Sequence, residues 1–168
     1  MKKLMIINDT IPTNRLPINI FKRNGFQVIT FKDQSFKRKI RGATEIFVQA
    51  ELAYKGKSAV GGYHLLLDIL ESDLNMEGKT IGILATSKVT YPLNTRIATL
   101  MRILPACQFP PLSQARHWAG RLNTTLRCKG KAWSFVQKKY RKEVYPPVRK
   151  GIIKRFGQSL RRSAATLF

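Results

Sequence analysis

Residues 45–70 read EIFVQAELAYKGKSAVGGYHLLLDIL. The run from Glu45 to Gln49 is short, nearly continuous in apolar residues and suited to a strand covered on both faces. A basic loop with a Gly-Gly pair follows Ala50 and Glu51. Tyr63, Leu66, Leu67, Leu70 and Leu74 then recur at intervals of three and four, the spacing of an amphipathic helix. A buried strand feeding such a helix is the unit from which parallel sheets are built.

The same alternation extends in both directions. Leu4 to Ile7, Gln27 to Phe31, Thr80 to Leu84 and Ala106 to Phe109 are further apolar or β-branched runs of strand length. Thr13 can cap a helix ending at Asn24-Gly25, Ser35 to Arg41 suits a short basic helix, and Ile97, Leu100, Met101 and Leu104 carry helical spacing. The order βαβαβαβαβ with right-handed crossovers predicts an α/β fold, an open, doubly wound, five-stranded parallel sheet.

At 168 residues the chain is long enough for one domain with a real core and an extension. Apolar residues make up 43% and charged residues 24%, a globular composition. Thirty-one Lys+Arg against nine Asp+Glu give a net charge of +22, which repels itself in a compact state and calls for a polyanion or acidic partner. Cys107 and Cys128 form neither a CxxC pair nor a cluster with histidine, so neither zinc nor a disulfide framework is expected. The apolar run of MKKLMIIND stops at Asn8-Asp9, short of a signal or membrane-spanning segment, and the expected location is the cytoplasm.

Charge concentrates near the C-terminal end, with fifteen bases and the single acid Glu143 from Ser113 onward. The bases are Arg116, Arg121, Arg127, Lys129, Lys131, Lys138, Lys139, Arg141, Lys142, Arg149, Lys150, Lys154, Arg155, Arg161 and Arg162. Ala115, Trp118, Ala119, Leu122 and Leu126 mark a fifth covering helix, after which strand signals are absent. Trp133, Val136, Tyr140 and Val144 fall on one helix face, and Val148, Ile152, Phe156 and Leu160 on a second, with Pro146-Pro147 between them. The expected division is a sheet domain over residues 1–128 and a basic α-helical extension over 129–168. Phosphate neutralisation by these bases, with Trp133 and other aromatics available to stack on bases, fits RNA or DNA. At helical spacing, packing is the competing use of the aromatics.

In an open α/β sheet, chemistry gathers at the carboxyl ends of the strands, here Asn8-Asp9, Ala50-Glu51, Thr86-Ser87 and Phe109-Pro110. In the order of elements over residues 1–112, in IINDTIPTNR after the first strand and in ILATS at the fourth, the chain resembles the receiver domain of two-component response regulators. The resemblance implies a CheY-like sheet, a fold close to the flavodoxin-like one. It also implies a phosphotransfer site that this chain keeps only in part. Asn8 and Asp9 fall at the family's acidic pair, Ala50 at its acceptor aspartate with Glu51 beside it, Thr86 or Ser87 at its hydroxyl, and Phe109 at its lysine. Without acceptor and lysine both the nucleophile and the stabilising charge are gone, and the resemblance implies a pseudo-receiver. The residues keep their simpler readings as well: Asp9 as a helix cap, Glu51 as a strand-end carboxylate without chemistry, Thr86 and Ser87 as caps of a turn.

Other motifs fail on context. Gly56-Lys57-Ser58 ends like a phosphate loop, but the leading glycine of that pattern would fall at Glu51. A flavodoxin-like protein would bind FMN or another nucleotide at the strand ends, and NDTIPTNRLP offers Thr10, Thr13 and Asn14 without glycine. His64 and His117 are the only imidazoles, with no nucleophile at triad spacing. The expectation is a non-catalytic regulatory protein without a cofactor. It would bind nucleic acid through its basic extension and meet a protein partner through Tyr54, Lys55 and Lys57 in a docking loop. A flavodoxin-like nucleotide-binding protein, or an adaptor using the tail on a protein or an anionic membrane, is the alternative.

Overall fold

The computed structural model describes residues 2–7, 18–57, 59–86, 89, 94–108 and 130–146. Its strands are β1 (Lys3–Ile7), β2 (Phe26–Thr30), β3 (Glu45–Gln49), β4 (Thr80–Ala85), β5 (Cys107–Gln108) and β6 (Lys131–Ala132). Its helices are α1 (Ile18–Arg23), α2 (Phe36–Gly42), α3 (Gly61–Leu70), α4 (Thr95–Ile103) and α5 (Trp133–Val144). The strands run in the order β2-β1-β3-β4-β5, all parallel, while β6 joins β4 antiparallel.

Alternation along each strand divides the core into two layers. Leu4, Ile6, Ile46, Val48, Ile81 and Ile83 share one layer with Ile40 of α2, the leucines of α3, Ile97 and Leu100 of α4, and Trp133, Val136 and Tyr140 of α5. Met5, Ile7, Phe47, Leu84 and Cys107 share the other with Phe21 of α1. Edge-to-face pairs link Phe21, Phe26 and Phe47 there, with ring centroids 5.5 and 5.8 Å apart.

Local chemistry sets the helix ends. Asn94 Oδ1 accepts from the amides of Arg96 and Ile97 and starts α4. Asp33 accepts from the Lys39 ammonium and from the Ser35 hydroxyl and amide ahead of α2, and the Lys39 bond first, then those from Ser35, hold its carboxyl well below the ordinary range. At the other end of α2, Lys79 Nζ donates to the carbonyls of Arg41 and Ala43, each at 2.7 Å. α3 ends at Leu70, before Leu74, because Ser72 Oγ takes the Ile69 carbonyl and turns the chain.

The expectation that strands cease after Ser113 fails at β6. Lys131 and Ala132 pair with Ile81 and Thr80, and the Trp133 amide donates to the Lys79 carbonyl at 2.8 Å. β5 takes the end of the same β4 edge through Leu84 and Ala85. α5 is held further by Arg102 to Glu143 at 2.6 Å and by Arg96, which reaches both Glu71 and the Tyr145 hydroxyl. The segments expected as a fifth covering helix (115–126) and a second basic helix (148–160) lie outside the described residues. Among the described residues, no helix is long and apolar enough to cross a membrane.

Candidate functional site

The loop from Ala50 to Val60 is built on a tight hairpin. Tyr54 and Lys57 exchange both backbone hydrogen bonds at 2.9 Å, and the two residues between them have positive φ, 48° at Lys55 and 72° at Gly56. Two central residues in that region make a type I′ turn, which glycine enters without steric cost. Gly56-Lys57 is therefore part of a hairpin and not the end of a phosphate loop.

Tyr54 anchors this turn. Its ring meets Phe31 edge-on at 5.3 Å and its hydroxyl donates to Asp68 Oδ2 at 2.6 Å, while Lys55 Nζ approaches the same oxygen at 2.6 Å. Burial pushes the Asp68 carboxyl up, but the hydrogen bonds from Lys55 and Tyr54 outweigh it and hold the group below its ordinary value. Of the three loop residues expected to dock a partner, Lys55 and Lys57 are exposed and Tyr54 is a half-buried strut.

The Tyr54 phenol is pushed up to about 12 by burial, then by its bond to Asp68 and that carboxylate's charge. A group whose pKa rises on folding stabilises the fold fully below its unfolded value, about 10 for tyrosine. That contribution is lost as pH climbs through the folded value. Stability should therefore fall between about pH 10 and pH 12, and Tyr54→Phe should remove this component. The difference titration of tyrosinate absorbance between wild type and Tyr54→Phe measures it; a midpoint near 10 would contradict the Tyr54–Asp68 bond.

Gly61 and Gly62 have a packing role. A Cβ at Gly61 would lie 1.6 Å from the Leu52 carbonyl oxygen, and one at Gly62 would lie 2.2 Å from that of Gln49. The first turn of α3 thus sits against the chain leaving β3, and the Gly62 amide donates to the Ala50 carbonyl at 3.0 Å.

At the strand ends, Ala50 is fully buried and its amide donates to the Leu84 carbonyl at 2.7 Å. Glu51 Oε1 accepts from the Thr86 amide at 2.6 Å and from its hydroxyl at 3.0 Å, so one carboxylate joins the ends of β3 and β4. Asn8, Asp9 and Phe109, which complete the degenerate receiver site, lie outside the described residues, as do Ser87, Thr10, Thr13 and Asn14.

α5 separates two functions by face. Trp133, Val136 and Tyr140 are 4%, 0% and 2% exposed, so Trp133 is a core residue and not a base-stacking one. On the opposite side, Phe135, Lys138, Lys139 and Lys142 follow one another at helical spacing, all exposed, with Arg141 beside them. Phe135 is 48% exposed, and the ammoniums of Lys131 and Lys139 lie 5.5 and 5.9 Å from its ring centre. Lys131 is partly committed elsewhere, donating to the Ile103 carbonyl at the end of α4. Lys138, Lys139, Arg141 and Lys142 form no ion pair among the described residues. The remaining tail bases, Arg116, Arg121, Arg127, Lys129, Arg149, Lys150, Lys154, Arg155, Arg161 and Arg162, lie outside those residues.

No family model and no curated protein matches the chain. Among solved structures, a fusion carrying a trimeric coiled-coil segment of yeast Spc42 is similar over 97% of this chain and 96% of that one, at 18% identity and a TM-score of 0.43. At that level two chains need not share a fold.

Sequence reasoning missed a second set of cations. Lys37, Arg38, Lys39 and Arg41 are legible only as a basic helix, and nothing local links them to Lys2 and Lys3. The pairing of β1 with β3, which begins just after α2, brings the start of the chain into the neighbourhood of that helix.

Proposed function

We propose that the sheet is a receiver-like, doubly wound scaffold without phosphotransfer, and that the outward face of α5 binds nucleic acid. The observation that carries the reading is the division of α5. Its aromatic and aliphatic side is committed to the core, while Lys138, Lys139, Arg141 and Lys142 point away from it without carboxylate partners among the described residues. A stripe of ammonium and guanidinium groups on a rigid helix suits a phosphate backbone, and its affinity would come from displacing condensed counterions. With +22 on the chain, a polyanion also relieves self-repulsion.

The strand order β2-β1-β3-β4-β5 supports the receiver-like half, because it is the order of the flavodoxin-like doubly wound sheets. The Ala50 methyl group at the end of β3 supports the loss of an acceptor. The Glu51 carboxylate, already bonded to Thr86, acts as a fixed negative charge where a receiver would gain a phosphoryl group. The sheet then serves as a docking module in a nucleoprotein or regulatory assembly, with Lys55 and Lys57 on its exposed hairpin.

Two experiments test the halves separately. Fluorescence anisotropy of labelled RNA and DNA with the full chain should report binding at low salt that weakens steeply as salt rises; absence of binding to both would overturn the nucleic-acid reading. Incubation with a small phosphodonor and magnesium should leave the intact mass unchanged. A phosphoryl adduct on Glu51 or Asp9 would overturn the pseudo-receiver reading.

A further inference from the structure

A cleft of about 320 Å³ opens between the first two strands and the end of α2. Lys2, Lys3 and Gln27 line it from the strand side, and Arg38, Lys39 and Gly42 line it from α2. Four cations therefore converge from two chain segments, the start of β1 and α2, which the pairing of Lys3 with Glu45 and the bonds from the Thr44 and Glu45 amides to the Lys2 carbonyl bring together.

Their commitments differ. Lys39 pairs with Asp33, and Lys3 sits opposite buried Glu45 in the β1–β3 register with its ammonium 5.4 Å from the Phe26 ring centre. Lys2 and Arg38 are exposed and form no ion pair among the described residues. The carbonyls at the end of α2 would repel an anion, but Lys79 Nζ covers those of Arg41 and Ala43. The cleft thus keeps two uncommitted positive charges, two partly neutralised ones and the Gln27 amide.

The geometry points to this cleft as a binding site for a phosphate ester, held by Arg38 and Lys2 with Gln27 as a neutral donor. A phosphoryl group carries close to two negative charges and three acceptor oxygens, which matches a guanidinium, an ammonium and an amide arriving from different sides. The cleft lies at the small end of ligand-pocket volumes, suited to a phosphate or a nucleotide and too small for a duplex. The same chemistry can come from a free phosphorylated small molecule or from the 5′-phosphate of a nucleic-acid strand. This site is independent of the α5 face.

Nuclear magnetic resonance of the isotope-labelled full chain tests it, with inorganic pyrophosphate and a 5′-phosphorylated dinucleotide as probes. The Gly42 backbone amide and the Gln27 side-chain amide should shift saturably with pyrophosphate. In Lys2→Ala/Arg38→Ala the apparent affinity should fall about tenfold or more, while substitution of Lys138 and Lys142 should leave it unchanged. Saturation of the same amides by the dinucleotide as well assigns the site to a strand end, and saturation by pyrophosphate alone assigns it to a small phosphorylated ligand. Shifts that rise linearly without saturating, or that persist in the double variant, would overturn the proposal.

Discussion

Replacing Lys138, Lys139, Arg141 and Lys142 together by alanine should make the salt dependence of nucleic-acid binding much shallower without unfolding the protein. All four side chains are exposed on α5, and alanine is the best helix former, so the buried Trp133, Val136 and Tyr140 face keeps its packing. Each phosphate contact contributes about 0.7 to the slope of log affinity against log salt on single strands and about 0.9 on duplex DNA. Losing four contacts lowers the slope by about 3 on a single strand. Between about 50 and 200 mM salt, the wild-type affinity should then fall roughly fifty-fold more than that of the variant. Anisotropy titrations across that range measure the difference. Equal slopes would mean that α5 does not meet phosphates and that its charge serves a protein or membrane partner.

A substitution is the right probe here, because α5 is part of the fold. Ending the chain before Lys129 would remove β6 from the edge of β4 and withdraw Trp133, Val136 and Tyr140 from the core shared with α3 and α4. Any loss of binding after that cut would mix unfolding with loss of charge.

Gly61→Ala should be among the most destabilising single changes in the protein. The added Cβ would lie 1.6 Å from the Leu52 carbonyl oxygen, 2.8 Å from its carbon and 3.0 Å from the Tyr54 nitrogen. These are backbone atoms, so no side-chain rotation relieves the overlap and α3 itself must move. That helix carries Tyr63, Leu66 and Leu70 into the core, and Tyr63 fixes it further by donating to the Leu104 carbonyl at 2.9 Å. The cost should be about 3 kcal/mol or more, exceeding the gain of about 1 kcal/mol that alanine brings to a helix. Gly56→Ala is the control: its Cβ meets nothing within 4 Å, and only the positive φ of 72° resists it. That change should cost about 1 kcal/mol. Urea unfolding of the two variants compares them directly, and a Gly61→Ala midpoint at or above that of Gly56→Ala would contradict the close approach.

Most of the sheet was legible because its strands are local signals. KLMII, EIFVQ and TIGILA are apolar enough to be buried on both faces, and the alternation with helical spacing leads to a parallel sheet. α1 was legible from Asn24-Gly25 at its end and the inner face of α5 from the spacing of Trp133, Val136 and Tyr140, whereas Ser35 precedes α2 without capping it, its hydroxyl donating to Asp33 instead. The competing reading of Trp133 as a stacking residue needed the fold to decide it, since periodicity marks a face without saying what covers that face.

What only the tertiary structure decided depends on contacts between distant residues. β6 is two residues long and exists because Thr80 and Ile81 offer an edge, a fact with no trace in Lys131-Ala132 itself. Glu51 meets Thr86 across 35 positions, and the Lys79 ammonium reaches carbonyls 36 and 38 positions away. The basic loop around Gly56 carried the residue types of a phosphate loop, and its positive φ angles make it a hairpin. Likewise Lys2 and Arg38 become neighbours of one cleft only when β1 takes its place between β2 and β3, the strands that α2 connects. Composition and period determine which segments are buried and in what order they alternate. Side chains that act across strand ends and helix termini have no local period, and the folded chain alone brings them together.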